Sequence, residues 1–394
     1  FAEVPAGEYT LEISYVGAET VTRMVSVPAT GAVRADIAMS GFGDNEILVI
    51  GQAANLSSAL SRKKEADGVS DVLTRDAIGQ FPDQNVAESL RRLPGVNVLN
   101  DQGEGRFVSV RGLAPDLVSS SLNGVRLPSP EADVRSVALD VISSDIIESI
   151  EVKKSLTPDM DADTIGASAE IETTSAFDRR KSLLTAKIEG SYNDYADHIS
   201  PKGSVDFATR LGDNVGVSGG LSYYKRKFET DNIEADDYSD AGMIFPTEVQ
   251  YRDYDVERER ISASLNFDFR AGDSTKLYVR GIYSQFDDQE YRRRTTFDLG
   301  DFEDFGPTTI TANGATFSDA TIDDPSEPGE DLRQRIGVER DIKDRLESQK
   351  IRSIVVGGES DWGDWFAEYS GSWAKSSETE EGNVDPAEFR QRFS

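Results

Sequence analysis

The chain has 394 residues, with 42 Lys and Arg against 72 Asp and Glu and a formal net charge of -30. That length allows two or three domains, and the charge excludes a nucleic-acid partner, which needs a basic stripe. With no cysteine, disulfides, thiolate metal sites and thiol redox chemistry are excluded. No apolar run reaches about eighteen residues, so a helical membrane span is excluded and any membrane role falls to β-strands. The 33 Gly, and the 13 Tyr and 18 Phe against 3 Trp, suit strands and turns better than bundled helices. Phe1 is not preceded by a methionine or an apolar leader, so any export signal is expected to have been removed or left out.

From Val4 to Met39 apolar positions alternate. Tyr9, Leu11, Ile13 and Tyr15 share one face, and Thr10, Glu12 and Ser14 the other, as in a half-buried strand. Pro5-Ala6-Gly7 opens the set as a turn, and Val21 to Val27 and Val33 to Met39 read as further strands. So few strands cannot close a sandwich alone. Residues 1–40 resemble the tail of a carboxypeptidase-regulatory-like β-sandwich, a partial domain that the chain enters midway. Residues 41–54 read as a linker: a flexible joint at Ser40 to Asn45 precedes the apolar island Glu46, Ile47, Leu48, Val49, Ile50. Such an island can add to another protein's sheet edge through backbone hydrogen bonds; the plainer reading is an edge strand of the preceding sandwich.

Ser57 to Ser89 reads as more helical, with a short turn at Asp76-Ala77-Ile78. In Asn85 to Leu93, Val86, Leu90 and Leu93 form one stripe, and Pro94-Gly95 stops the helix. Val96 to Leu99 and Phe107 to Gly112 read as strands around a glycine-rich turn at Asn100 to Arg106. Ser121 to Leu127 is a strand-turn-strand unit. Ile146 to Val152 and Ala169 to Thr173 complete a small mixed α/β domain ending near Phe177.

From Leu183 the period becomes two. Leu184, Ala186, Ile188 and Tyr192 alternate with polar residues, as do Val205, Phe207 and Leu211, then Val215, Val217, Leu221 and Tyr223. Ile261, Ala263, Leu265, Phe267 and Phe269 repeat the pattern, and Leu277 with Val279, and Trp365 with Ala367, Tyr369 and Trp373, continue it. Gly212 to Asn214, Ala271 to Ser274 and Asp361 to Asp364 are tight turns, while Asn193 to Lys202, Thr230 to Val256 and Arg292 to Arg335 read as long acidic links. Short and long links are thus expected to alternate strictly, as in an outer-membrane barrel with short turns on one side and long loops on the other. Tyr192, Tyr223, Tyr224, Tyr283, Trp365 and Trp373 would form an interfacial girdle.

The run Phe81-Pro82-Asp83-Gln84-Asn85-Val86-Ala87-Glu88-Ser89-Leu90-Arg91-Arg92-Leu93-Pro94-Gly95-Val96 resembles the plug of TonB-dependent receptors. Gln102 to Arg106, Ser109 to Gly112, Leu122-Asn123-Gly124, Ile150 to Lys154 and Asp159 to Asp163 follow in the order of that family. They are closest to its branch common in Caulobacter-like and Xanthomonas-like bacteria. One departure is Gly166 to Thr173, where the family usually carries a second glycine and an apolar strand. The fold implied is a partial antiparallel membrane β-barrel with an N-terminal α/β plug domain and a partial β-sandwich, the plug at 55–180 and the first barrel strands at 181–394. The family's barrel closes with about 22 strands around its plug, and only seven or eight are legible here, so the chain is expected to be a fragment.

The resemblance implies an outer-membrane transporter with no cofactor and no metal. It would bind a scarce nutrient outside and import it on work delivered by the periplasmic TonB protein, for which Glu46, Ile47, Leu48, Val49 and Ile50 look like the TonB box. The branch favours an oligosaccharide; an iron-siderophore receptor, or a ligand-sensing receptor without transport, is the alternative. Plug turns at Asn100 to Arg106, Ala114 to Ser120 and Pro128 to Arg135 would face the ligand, through Asp101, Gln102, Glu104, Arg106, Asp116, Glu131, Asp133 and Arg135. The plainer reading makes these solvated turns. Asp159, Asp161 and Asp163 with Glu170 imitate a calcium loop, but Thr164 stands where the loop needs glycine. His198 is the single histidine, and no catalytic cluster gathers around it; Asp236-Asp237 and Asp287-Asp288 imitate a carboxylate dyad only by the frequency of acids. Outer-membrane lipid is a further partner, and Arg292-Arg293-Arg294 reads as a contact to lipopolysaccharide phosphates or to acidic loops.

Overall fold

The structure, a computed structural model, describes residues 5–13, 21–28, 59–60, 62–64, 66, 68–79, 81, 83–132, 134–158, 160, 164–177, 181–239, 244–272, 274–299, 309–311, 314–316, 321–323, 331–333 and 336–393. The readings on Val33 to Met39, on the linker with Glu46 to Ile50, and on Asp133, Asp159, Asp161 and Asp163 lie outside the described residues.

β1 (Gly7–Ile13) and β2 (Val21–Val27) pair antiparallel, with Gly7 opposite Val27 and Ile13 opposite Val21. The alternation gives strands here with one partly shielded face, on which Leu11, Val25 and Val27 are half-buried, while Thr10, Met24 and Ser26 stand exposed on the other. Tyr9 is 39% and Met24 67% exposed, because among the described residues nothing pairs with or covers this hairpin.

An α/β unit follows. It runs β3 (Ser70–Thr74), α1 (Arg75–Gly79), α2 (Val86–Leu90), β4 (Val96–Asp101), β5 (Glu104–Val110), β6 (Val118–Leu122), β7 (Val125–Arg126), β8 (Ile147–Lys153) and β9 (Ala167–Thr173). Its 5-stranded sheet has the order β3-β8-β9-β6-β7; β6 and β9 run parallel and the other neighbours antiparallel. β4 and β5 pair with each other as a separate hairpin. The strand β3 stands inside the stretch read as helical, since pairing of Ser70–Thr74 with Ser149–Lys153 overrides a weak local preference. α2 is fixed at its start: the Asn85 side chain accepts from Glu88 N, and the Glu88 carboxylate accepts from Gln84 N in return. Val86, Ala87 and Leu90 are fully buried, each large apolar side chain contributing about 1.5–3 kcal/mol.

The rest is one 7-stranded antiparallel meander. β10 (Leu183–Asn193), β11 (His198–Leu211), β12 (Val215–Ser239), β13 (Phe245–Arg270) and β14 (Thr275–Asp298) come first. Two small hairpins follow, β15 (Thr309–Thr311) with β16 (Gly314–Thr316) and β17 (Thr321–Asp323) with β18 (Asp331–Arg333). β19 (Ile336–Asp361) and β20 (Phe366–Phe393) close the set, and each strand of the meander pairs with its neighbours in the order β10-β11-β12-β13-β14-β19-β20.

The tight turns stand where the sequence placed them, but the strict alternation with long links does not. β10 and β11 are joined by residues 194–197 and β12 and β13 by 240–244, so much of the acidic sequence is strand; the link from β14 to β19 alone is long. Acids are tolerated there because cations lie across the ladder: Lys225 reaches Glu257 at 2.6 Å and Arg293 reaches Asp253 at 2.7 Å. The 26 residues of β13 span about 85 Å at roughly 3.3 Å per residue, far beyond the ~30 Å of a hydrocarbon core.

Period two divides this sheet into two faces. On β13, Arg258, Arg260, Ser262, Ser264, Asn266 and Asp268 are buried toward the α/β unit, while Leu265, Phe267 and Phe269 stand 45–47% exposed on the other side. The inner face joins the unit's core through Ile282, Phe286 and Ile351 and meets it in a polar seam. Ser143 donates to Ser222 Oγ, Ser284 donates to the Val141 carbonyl, and Asn266 donates to Thr173 and Thr174. Tyr224, expected in the girdle, is on this inner face and 3% exposed, one residue out of phase with Tyr223. The arginine triplet is also divided by the pleat: Arg292 and Arg294 pair with Asp341, Arg293 with Asp253 and Asp255. Its charges are thus met within the sheet, by acids of the strands rather than of the loops.

Candidate functional site

The tip of the β4-β5 hairpin drives into the inner face of the long sheet. Only Gln102 and Gly103 form its turn, at φ +45° and +84°, the paired left-handed conformations of a two-residue hairpin loop. The seven-residue turn expected at Asn100 to Arg106 is therefore mostly strand, and Glu104 and Arg106 are held on β5.

Glu104 is 1% exposed. Its carboxylate meets Arg226 at 2.6 Å, Arg260 at 3.2 Å and Arg258 at 3.7 Å, all from β12 and β13. Burial alone would raise its pKa, but the three guanidiniums outweigh it and bring the group down to about 2. Arg258 is shared further, with Asp288 at 3.1 Å, Asp101 at 3.3 Å and Gln102 Oε1 at 3.1 Å. Gln102 in turn donates to Glu290 at 2.9 Å. Glu104 and Gln102, expected to face a ligand, instead fasten the hairpin to the sheet.

Beside this cluster lies an open cleft of about 540 Å³ between Leu99, Asn100, Asp101, Arg106, Phe107, Glu131 and Ala132 on one side and Arg345, Glu347, Glu378 and Glu380 of β19 and β20 on the other. Arg106 stands at its centre, 2.5 Å from Glu131, 3.1 Å from Asp101, 3.5 Å from Glu347 and 4.0 Å from Asp140. Asp140 is 1% exposed, and burial raises its pKa to about 6 despite Arg106, Arg260 and Arg258. Glu347, Glu378 and Glu380 bring carboxylate oxygens within 4.8 Å of one another.

The structure thus gathers Asp101, Arg106 and Glu131 at one cleft. Asp116 is outside that lining; its Oδ1 accepts from Ser136 N, and Arg135 is likewise exposed and does not line the cleft. Sequence reasoning missed Asp140, Arg345, Glu347, Glu378 and Glu380. The inner-face alternation of β19 could have flagged Glu347, but β19 had not been read as a strand. Asp287 and Asp288 point to opposite faces of β14, so they form no dyad. Glu170 of the imitated calcium loop pairs with Lys153 at 2.8 Å.

Residues 62–168 match the family model described as "TonB-dependent Receptor Plug Domain". The ferric enterobactin receptor of Pseudomonas aeruginosa is 29% identical to the chain over 127 residues, 29% of this chain and 17% of that protein. Among solved structures, a mutant of the ferric enterobactin receptor PfeA from Pseudomonas aeruginosa is similar with a TM-score of 0.35 at 13% identity, over 85% of this chain and 58% of that one. The ferric citrate transporter FecA is similar with a TM-score of 0.38 at 13% identity, over 82% and 61%. The chain therefore spans under a fifth of the curated relative it matches and about three fifths of these solved chains.

Proposed function

We propose that this chain is the plug and first barrel strands of a TonB-dependent receptor in the outer membrane of a Gram-negative bacterium, which binds an iron complex outside and delivers it to the periplasm. One observation carries the reading: a segment matching the plug model is sealed by polar and ionic contacts to the inner face of an antiparallel meander whose outer face carries an apolar band (Leu265, Phe267, Phe269, Val279, Val356) toward its tight turns and charged pairs beyond it. In water that band would be a large exposed apolar patch; in a bilayer it is covered, and strand pairing satisfies the backbone. Lipid and lipopolysaccharide are the partners of that face.

The branch resemblance pointed to an oligosaccharide. The likeness of 127 residues to a ferric enterobactin receptor supports an iron complex in its place, and the oligosaccharide is not kept. The cleft at Arg106 is where the ligand would be held, with no catalytic step. Glu46 to Ile50 would offer a strand edge to TonB, whose pull loosens the plug. Deleting Ile47 to Ile50 from the full receptor tests this: uptake of ferric complexes should stop while binding to the cell surface persists. Unchanged uptake by the deletion variant would overturn the TonB-driven reading.

A further inference from the structure

We infer that the cleft between the plug hairpin and β19 and β20 takes a ferric complex of neutral or positive charge and discriminates against anionic ones, an inference that rests on the iron-complex reading above. Five carboxylates, Asp101, Glu131, Glu347, Glu378 and Glu380, line it against two guanidiniums, Arg106 and Arg345. The guanidiniums are already engaged. Arg106 is shared by Glu131, Asp101 and Glu347 at 2.5, 3.1 and 3.5 Å, and Arg345 by Glu290, Glu347 and Glu380 at 3.4, 3.5 and 3.6 Å. An anion could reach either arginine only by displacing a carboxylate and leaving it unpaired at a half-buried position, which is strongly unfavourable.

A second observation points the same way. Gln349, one inward position beyond Glu347 on β19, is fully buried and gives its amide hydrogens to Glu347 and Glu378 at 2.7 and 3.0 Å. Its own Oε1 has no hydrogen-bond donor, and neither has Oδ1 of the buried Asp140. Arg345 Nε is likewise without an acceptor, so the excess is one of charge, five lining carboxylates against two guanidiniums, and a guest that brings positive charge offsets it. The chain's net charge of -30 adds a long-range field that concentrates cations and repels anions.

The test uses the full receptor in detergent and measures equilibrium binding of three probes: ferrioxamine B, a cationic ferric hydroxamate; ferrichrome, a neutral one; and ferric enterobactin, an anionic ferric catecholate. The cationic or the neutral complex should bind at least tenfold more tightly than the anionic one, with the cationic preference shrinking as salt is raised. Glu378→Gln with Glu380→Gln, both on the open side of the cleft, should reduce the preference at least threefold while the melting temperature stays within a few degrees. Tighter binding of the anionic complex overturns the inference and leaves the iron-complex reading standing. A preference that survives the double variant unchanged overturns its assignment to this cleft. Binding of none of the three by a folded receptor removes the iron-complex reading and this inference with it.

Discussion

Glu104 and Asp140 are both buried carboxylates near the same arginines, and their surroundings push them in opposite directions. For Glu104, burial raises the pKa but three guanidiniums prevail and bring it to about 2. Its contribution to stability is complete above the ordinary value of 4.5 and is lost as pH falls toward about 2. Glu104→Gln would leave Arg226, Arg258 and Arg260 short of a counter-charge and should cost about 3–5 kcal/mol, read as a lower melting temperature of the detergent-solubilised protein. An unchanged melting temperature would mean that the cluster balances without it. For Asp140, burial prevails and the pKa rises from 3.8 to about 6, so its ionised form destabilises the fold above about pH 6, and that penalty fades as the pH falls through 3.8. Asp140→Asn should then stabilise by about 1–3 kcal/mol near pH 7.5 and by almost nothing near pH 4. A gain that does not vary with pH would assign the effect to packing rather than charge. Neither behaviour was legible, since a glutamate in a glycine-rich turn and an aspartate before Val141 reveal nothing of the arginines that the sheet brings to them.

At the level of elements, glycine content reads differently once the plug is seated. Gly220 sits on β12 where a Cβ would lie 2.5 Å from Asp206 Oδ1 and 3.2 Å from Ile146 Cγ2. Asp206 is itself pinned by Arg75 of α1 at 2.6 Å, so it has little room to yield. Gly220→Val should therefore cost about 1–3 kcal/mol through overpacking and expose the plug to limited proteolysis before the sheet is cut. Plug and sheet cleaved at unchanged rates would contradict this close approach. The same level explains the misread acidic links. Long runs of Asp and Glu resemble loops by composition, yet β12, β13 and β14 carry them as strand because Lys225 reaches the diagonal Glu257 and Arg293 the facing Asp253.

For the molecule as a whole, the apolar band on the outer face of the sheet is what a lipid environment would cover. Leu265 stands amid it, 47% exposed, between Ala263 and Phe267. Leu265→Arg should destabilise the protein in lipid vesicles by about 2–4 kcal/mol if it lies near the bilayer midplane, measured by denaturant titration. Thr379→Arg, on the outward face nearer the loop end of β20, should be nearly neutral and serves as control. Equal effects of the two would mean that no lipid boundary separates them.

What the sequence determined by itself was the alternation that makes strands, the turns at Gly212, Gly272 and Gly363, and the ordered plug run from Phe81 to Asp163, because strand period and turn chemistry are local properties. What the tertiary structure decided was which alternating residues face inward, as Tyr224 against Tyr223 shows, and which plug carboxylates are buried. Asp101, Arg106 and Glu131 reach the cleft while Glu104 is consumed by the seam, and β19, unread in the sequence, supplies Arg345 and Glu347. The burial of Glu104 by Arg226 and Arg260 and the approach of Glu347 to Arg106 join charges more than a hundred residues apart along the chain, and only folding sets their distance.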